Sequence, residues 1–208
     1  MKIAVIGSTG RTGRLVLDQA VRRGHQVTAF TRHPQELQGI QELHAIVHGD
    51  GLNRADVLEA VRGQDFVISI LSSPGLGPST VVTDVTKNVI AAMRETEVRR
   101  LICTSSHSLV ATRPWLVVKV VKWIFRNPYA DAAAMEREIV ASNLDWTIVR
   151  ATQLTDGPLT GQIRRAHGDF DTGPYTIARA NVAKILLDIA ESGDEIRSAV
   201  EVSGATTR

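Results

Sequence analysis

A chain of 208 residues with 43% hydrophobic content is long enough to bury one sizeable core. Its 24 Lys and Arg against 22 Asp and Glu leave a net charge of only +2, with the two signs interspersed, which argues against the one-sided basic footprint of a nucleic-acid binder. The lone Cys103 excludes an intrachain disulfide and a cysteine-based zinc site, and fits a reducing compartment.

The apolar run Ile3-Ala4-Val5-Ile6 predicts a short buried strand. Met1-Lys2 leads straight into it, so no signal peptide is expected. No apolar stretch approaches the roughly 20 residues that span a bilayer, and a cytoplasmic location is the expectation. Gly7, Gly10 and Gly13 follow the strand at three-residue spacing, and a helix is predicted from about Gly13 to Arg23, with Leu15, Val16, Ala20 and Val21 inward and Gly24 as its stop. Such a junction suits a pyrophosphate. The glycines permit a tight turn and close ligand approach, and the helix start presents free N–H groups and positive partial charge. Gly7, Thr9, Gly10, Arg11, Thr12 and Gly13 are therefore candidate dinucleotide contacts. Their spacing departs by one residue from the common G-x-G-x-x-G form.

Further strands are predicted at Gln26 to Thr31, about His44 to His48, Phe66 to Leu71, Leu101 to Thr104, Trp146 to Arg150 and Ala199 to Val202. Helices alternate with them. One is capped by Asn53, with Asp56 at its third position, and ends before Gly63; others run from about Thr80 to Glu95, Asp131 to Ser142 and Asn181 to Glu191. Pro34 breaks the chain after the second strand, and Ser72-Ser73-Pro74-Gly75-Leu76-Gly77-Pro78-Ser79 is a loop. The alternation predicts an α/β fold: a Rossmann-type, doubly wound parallel sheet in a single domain over 1–208, with a small substrate-side region at about 110–130 and 151–180. Ligands of such sheets bind beyond the carboxyl ends of the strands. That adds Leu71, Ser72, Thr104, Ser105, Arg150 and Ala151 to the candidate cofactor contacts.

Sites specific for NAD carry an acid at the end of the second strand, against the ribose hydroxyls. Here that place reads Phe30-Thr31-Arg32-His33. An arginine there suits a 2′-phosphate, with Thr31 and Arg11 within reach, so NADP(H) is the expected cofactor. Asp50, after the third strand, is placed either to accept from the adenine amino group or to serve a turn or helix cap.

Gly7-x-x-Gly10-x-x-Gly13, Thr31-Arg32, Gly49-Asp50, Cys103-Thr104-Ser105-Ser106 and Pro158-Leu159-Thr160-Gly161 together resemble atypical short-chain dehydrogenase/reductases, in particular the biliverdin-IXβ reductase/flavin reductase group, beside the NmrA-like proteins. The resemblance is specific to about residue 110 and looser beyond. It implies a monomer or homodimer that binds NADPH and transfers hydride to flavins, tetrapyrroles or related planar acceptors. It also implies that Gly10, Arg11, Thr12, Gly13, Arg32, Asp50, Leu71, Thr104 and Ser105 line the cofactor, with Ser105 beside the nicotinamide and the substrate. Where that group has a histidine in a Pro-Pro-His stretch, this chain has Ala151-Thr152-Gln153, which changes a substrate contact.

Typical short-chain dehydrogenases use Tyr-x-x-x-Lys. Tyr129 has Ala133 at the lysine position, and Tyr175 has Arg179 and lies too late in the chain. Hydride delivery to an already electrophilic acceptor remains, with the proton drawn from solvent or from Ser105, the candidate catalytic residue. Ser106, Trp123 and Gln153 are the candidate substrate contacts. No metal site is expected: His44 and His48 would stand roughly 13 Å apart on a strand.

The segment Pro114 to Arg126 is apolar and holds Trp115 and Trp123, with Lys119, Lys122 and Arg126 at helical spacing. It suits the wall of a hydrophobic pocket, an oligomer interface or a membrane-surface helix. The leading reading is an NADPH-dependent reductase of a flavin, quinone or tetrapyrrole-like acceptor. The alternative is an NADP(H)-binding redox sensor without turnover. Neither nucleic acid nor a bilayer is an expected partner.

Overall fold

The computed structural model describes residues 1–40, 42–112 and 115–205. Pro114, the first residue of the apolar segment, lies outside them. The chain runs β1 (Lys2–Ile6), α1 (Arg11–Arg22), β2 (Gln26–Thr31), β3 (Ala45–His48), α2 (Arg54–Val61), β4 (Phe66–Ser69), α3 (Val81–Glu95) and β5 (Arg100–Ser106). It continues through α4 (Trp115–Ile124), α5 (Arg126–Val140), β6 (Asp145–Ala151), β7 (Gln153–Thr155), β8 (Ile163–Ala166), β9 (Thr176–Ala178), α6 (Arg179–Ser192) and β10 (Ser198–Gly204).

One sheet has the order β3-β2-β1-β4-β5-β6-β10-β8, and β7 pairs with β9 in a separate two-stranded sheet. All pairings in the large sheet are parallel except that of β8 with β10 at its edge, which is antiparallel. The chain reverses direction across the sheet at β1 and β4, the switch point of a single-domain Rossmann-type fold.

Alternation along β1 divides the core. Ile3 and Val5 pack with α1 and α6 on one face, and Ala4 and Ile6 pack with α2, α3 and α5 on the other. Each fully buried aliphatic contributes roughly 1.5–3 kcal/mol, so both faces of the strand carrying the glycine loop are pinned. Asn53 caps α2 by accepting from the Ala55 N–H. The start of α3 is capped from a distance: the carboxylate of buried Asp131, on α5, accepts from the backbone N–H groups of Val82 and Thr83 and from the Thr83 hydroxyl.

Predicted boundaries move, most of all at α5, and three unpredicted strands appear. α5 begins at Arg126 rather than Asp131, because Pro128 falls in the first turn, where its missing N–H costs nothing. Region 151–180 contains β7, β8 and β9, short strands with too little alternation to be read locally. Among the described residues no helix is long and apolar enough to cross a membrane.

Candidate active site

The glycine loop sits between β1 and α1, against the end of β4. Gly7 turns with φ +84°, and a Cβ there would come 2.1 Å from the Ile70 carbonyl oxygen; one at Gly13 would come 2.2 Å from the Gly7 carbonyl oxygen. Both glycines are required by the fold itself. Gly10 differs: its only close neighbour would be the Gly7 oxygen at 3.3 Å, so the loop leaves an open approach there. Gly10 provides no side-chain cap to α1, and the first turn carries no acid, so the N–H groups of that turn face outward without an anionic partner. The loop is held by the Ser8 hydroxyl donating to the Phe30 carbonyl and by Arg14 donating to the Thr9 carbonyl. This cradle fits a pyrophosphate.

A cleft opens from the loop along the carboxyl ends of β4, β5 and β6. Its inner part, about 400 Å³, is lined by Gly10, Arg11, Thr12, Leu71, Ser72, Thr104, Ser105 and Ala151, among others. Its outer part, about 930 Å³, shares Arg11, Ser72, Ser105, Ser106 and Ala151 and adds His107, Val118, Val121, Phe125 and Gln153. The buried Ser105 Oγ has no hydrogen-bond partner among the described residues. A buried orphan hydroxyl is costly unless a ligand completes it. Ser106 spends its Oγ as an acceptor from the Ser108 N–H.

Several predicted contacts lie elsewhere. Arg150 is drawn away from the cleft: its guanidinium binds Glu136 at 2.6 and 3.0 Å and Glu201 at 3.0 Å. The hydrogen bonds it donates to Glu136 hold it charged far above neutral pH, against the opposing effect of burial. Both carboxylates hold it in a largely buried ion-pair cluster. Trp123 is 69% exposed and absent from the cleft lining; Val118 and Val121 of α4, with Phe125 just past its end, line the cleft instead. Lys122 leaves the expected cationic stripe and donates to the Leu109 and Ala111 carbonyls. Asp50 Oδ1 accepts from the Leu52 N–H, and its own N–H donates to Asp56, the geometry of a turn residue. Arg32 is exposed at the end of β2, beside buried Thr31, whose Oγ1 accepts from the His33 N–H. Arg11 pairs with Asp156, on the loop after β7, rather than with anything at the end of β2.

The structure also brings in residues that sequence reasoning missed. Tyr129 lines both parts of the cleft, stacked on Phe125 with ring centroids 5.7 Å apart. Ala133 in place of a lysine argues only against a Tyr-x-x-x-Lys pair, and the helix predicted from Asp131 leaves Tyr129 outside, so nothing local put it at the cleft. Arg179, at the start of α6, lines both parts and shares Asp156 with Arg11. Buried His107 meets Asp169 at 3.0 Å through Nε2, and its Nδ1 is without a partner among the described residues. Asp169 also accepts from the Thr112 N–H and hydroxyl, which ties the β5 exit to the segment after β8. Burial raises the Asp169 pKa, but Thr112 and the His107 ring lower it further, so the carboxyl titrates below its ordinary value. Cys103 is buried beneath this surface; burial pushes its thiol far up, and it is no nucleophile.

Residues 7–193 match the profile of the family described as NAD(P)H-binding. The chain belongs to this family. What membership gives is NAD(P)H binding, over nearly the whole chain. It is 36% identical over 161 residues to 2-alkyl-3-oxoalkanoate reductase of Stenotrophomonas maltophilia, covering 69% of this chain but 47% of that one, so it spans about half the length of that relative. Reductase pytE of Aspergillus terreus is 26% identical, with 88% of each chain covered. Among solved structures, the anaerobilin reductase ChuY of Escherichia coli O157:H7 superimposes with a TM-score of 0.81 over 100% of this chain and 99% of that one, at 21% identity, a likeness of fold.

Proposed function

We propose that this NAD(P)H-binding protein is an NADPH-dependent reductase of a flavin, quinone or other planar conjugated acceptor. The observation that carries the reading is the unpartnered Ser105 hydroxyl, placed between the glycine loop and the stacked Phe125–Tyr129 pair. When bound, the reduced nicotinamide supplies the hydride. The chain's residues do the rest. The free N–H groups of α1 and the Arg11 and Arg179 guanidinium groups hold phosphate. Their ion pairs with Asp156 are exposed on the carboxylate side, and such pairs cost little to exchange for a phosphate. Phe125 and Tyr129 offer a flat apolar wall for a ring. The Ser105 hydroxyl donates to a heteroatom of the acceptor as charge develops there. Arg32, in place of the acid that would bind a ribose 2′-hydroxyl, favours NADPH over NADH.

The test is NADPH consumption with FMN and with a short-chain quinone, for the parent and Ser105→Ala. A hydroxyl that stabilises charge without being the sole acid predicts about a tenfold lower rate, at or below the low end of general-acid contributions, with NADPH affinity unchanged. Redox-selective NADP(H) binding with no turnover on any planar acceptor would replace this reading with that of a sensor.

A further inference from the structure

α4 is apolar on two sides. Val118, Val121 and Phe125 line the cleft, and the opposite side carries Trp115 at 65% and Trp123 at 69% exposure, together with exposed Leu116, Val120 and Ile124. Exposed tryptophans are costly in water, and two on one ten-residue helix mark a surface made for contact. The charge around them is one-sided. From His107 to Ala130 the sequence contains no Asp or Glu, while Lys119 and Arg126 stand exposed beside the apolar ridge.

We propose that the outer face of α4 docks on an anionic lipid surface. A ridge of Trp, Leu, Val and Ile flanked by basic side chains matches a headgroup layer: the rings enter the boundary between headgroups and acyl chains, and the cations meet the lipid charge. A second copy of this chain fits less well. Two-fold contact through this face would bring Lys119 and Arg126 toward a partner face that carries the same basic side chains and, from His107 to Ala130, no acid to pair with them. Composition pointed away from a membrane because it speaks only of spanning; a helix lying in the interface needs neither length nor a continuous apolar run. Seated this way, the helix that walls the cleft lies in the headgroup layer.

Flotation of the full chain with vesicles tests the proposal without cofactor or acceptor, so it stands or falls apart from the reductase reading. Binding is expected to equimolar phosphatidylglycerol and phosphatidylcholine at low salt, to weaken at high salt, and to be weak on phosphatidylcholine alone. Lys119→Ala with Arg126→Ala is expected to lower partitioning about 30-fold, at ~1 kcal/mol per basic side chain. Trp115→Ser with Trp123→Ser is expected to remove binding at any salt, with an unchanged melting curve showing that the fold survives. No binding, or equal binding to neutral and anionic vesicles, overturns the proposal. So does a dimer in sedimentation equilibrium that Trp123→Ser splits, in a protein without vesicle affinity; the face is then an interface between copies.

Discussion

At the end of β2, the proposed preference for NADPH over NADH rests on a single side chain. Arg32 is exposed beside Thr31, and its guanidinium fork suits a 2′-phosphate. Removing one charge-assisted hydrogen bond costs about 1.5–3 kcal/mol. Arg32→Ala should therefore weaken NADPH about ten- to a hundredfold and leave NADH nearly unchanged, as read by fluorescence titration of both. Equal parent affinities for the two cofactors would sink the assignment. The shape of the loop at Gly7, Gly10 and Gly13 was legible because a strand, a turn and a helix start are adjacent in sequence. The surroundings of Arg150 were not. Nothing near that residue announces Glu136 on α5 or Glu201 on β10, and the two carboxylates that claim it are brought in only by the sheet.

At the scale of elements, α3 owes its start to another helix. The Asp131 carboxylate takes two backbone N–H groups and the Thr83 hydroxyl, all buried. Asp131→Ala should leave these donors unsatisfied at a cost of about 2–3 kcal/mol, a fall in Tm of roughly 5–10 °C for a domain of this size. Asp131→Asn, which keeps one acceptor, should lose less. A calorimetric Tm within a degree of the parent for the alanine variant would remove the cap from the account. The same scale shows why α4 was only half legible. Helical spacing identified the helix, but with apolar residues on both sides the pattern could not say which face turns inward. Val118 and Val121 line the cleft while Trp123 stays exposed, and α4 lies against the turn after β5 and against α5, neither of which the local sequence announces.

The whole molecule carries a dependence on pH. In Asp169 and Glu191, burial raises the pKa but is outweighed: by hydrogen bonds from Thr112 and electrostatic attraction to the His107 ring at the first, by hydrogen bonds from His25 and Arg23 at the second. Both therefore ionise more readily folded than unfolded. The stability they confer is complete above the unfolded carboxylate range, around pH 4, and is lost as pH falls through the lower folded values. Tm should drop steeply in that acid window. Asp169→Asn should lower Tm at neutral pH and flatten the drop, and an acid slope identical to the parent's would show that the clamp does not contribute.

The cleft takes its two sides from separate stretches of chain. The glycine loop, the β4 exit and the tip of β5 supply one side from within the first 105 residues, and α4, the start of α5 and the 151–179 region supply the other. The first side is fixed by buried strands and by glycines the backbone cannot do without, so nearly every change there is penalised. The second rests on short strands and a half-exposed helix, where volume and polarity can drift at little cost to folding. Inheritance can thus treat the two sides unequally: what is reduced can be revised while what reduces it is kept.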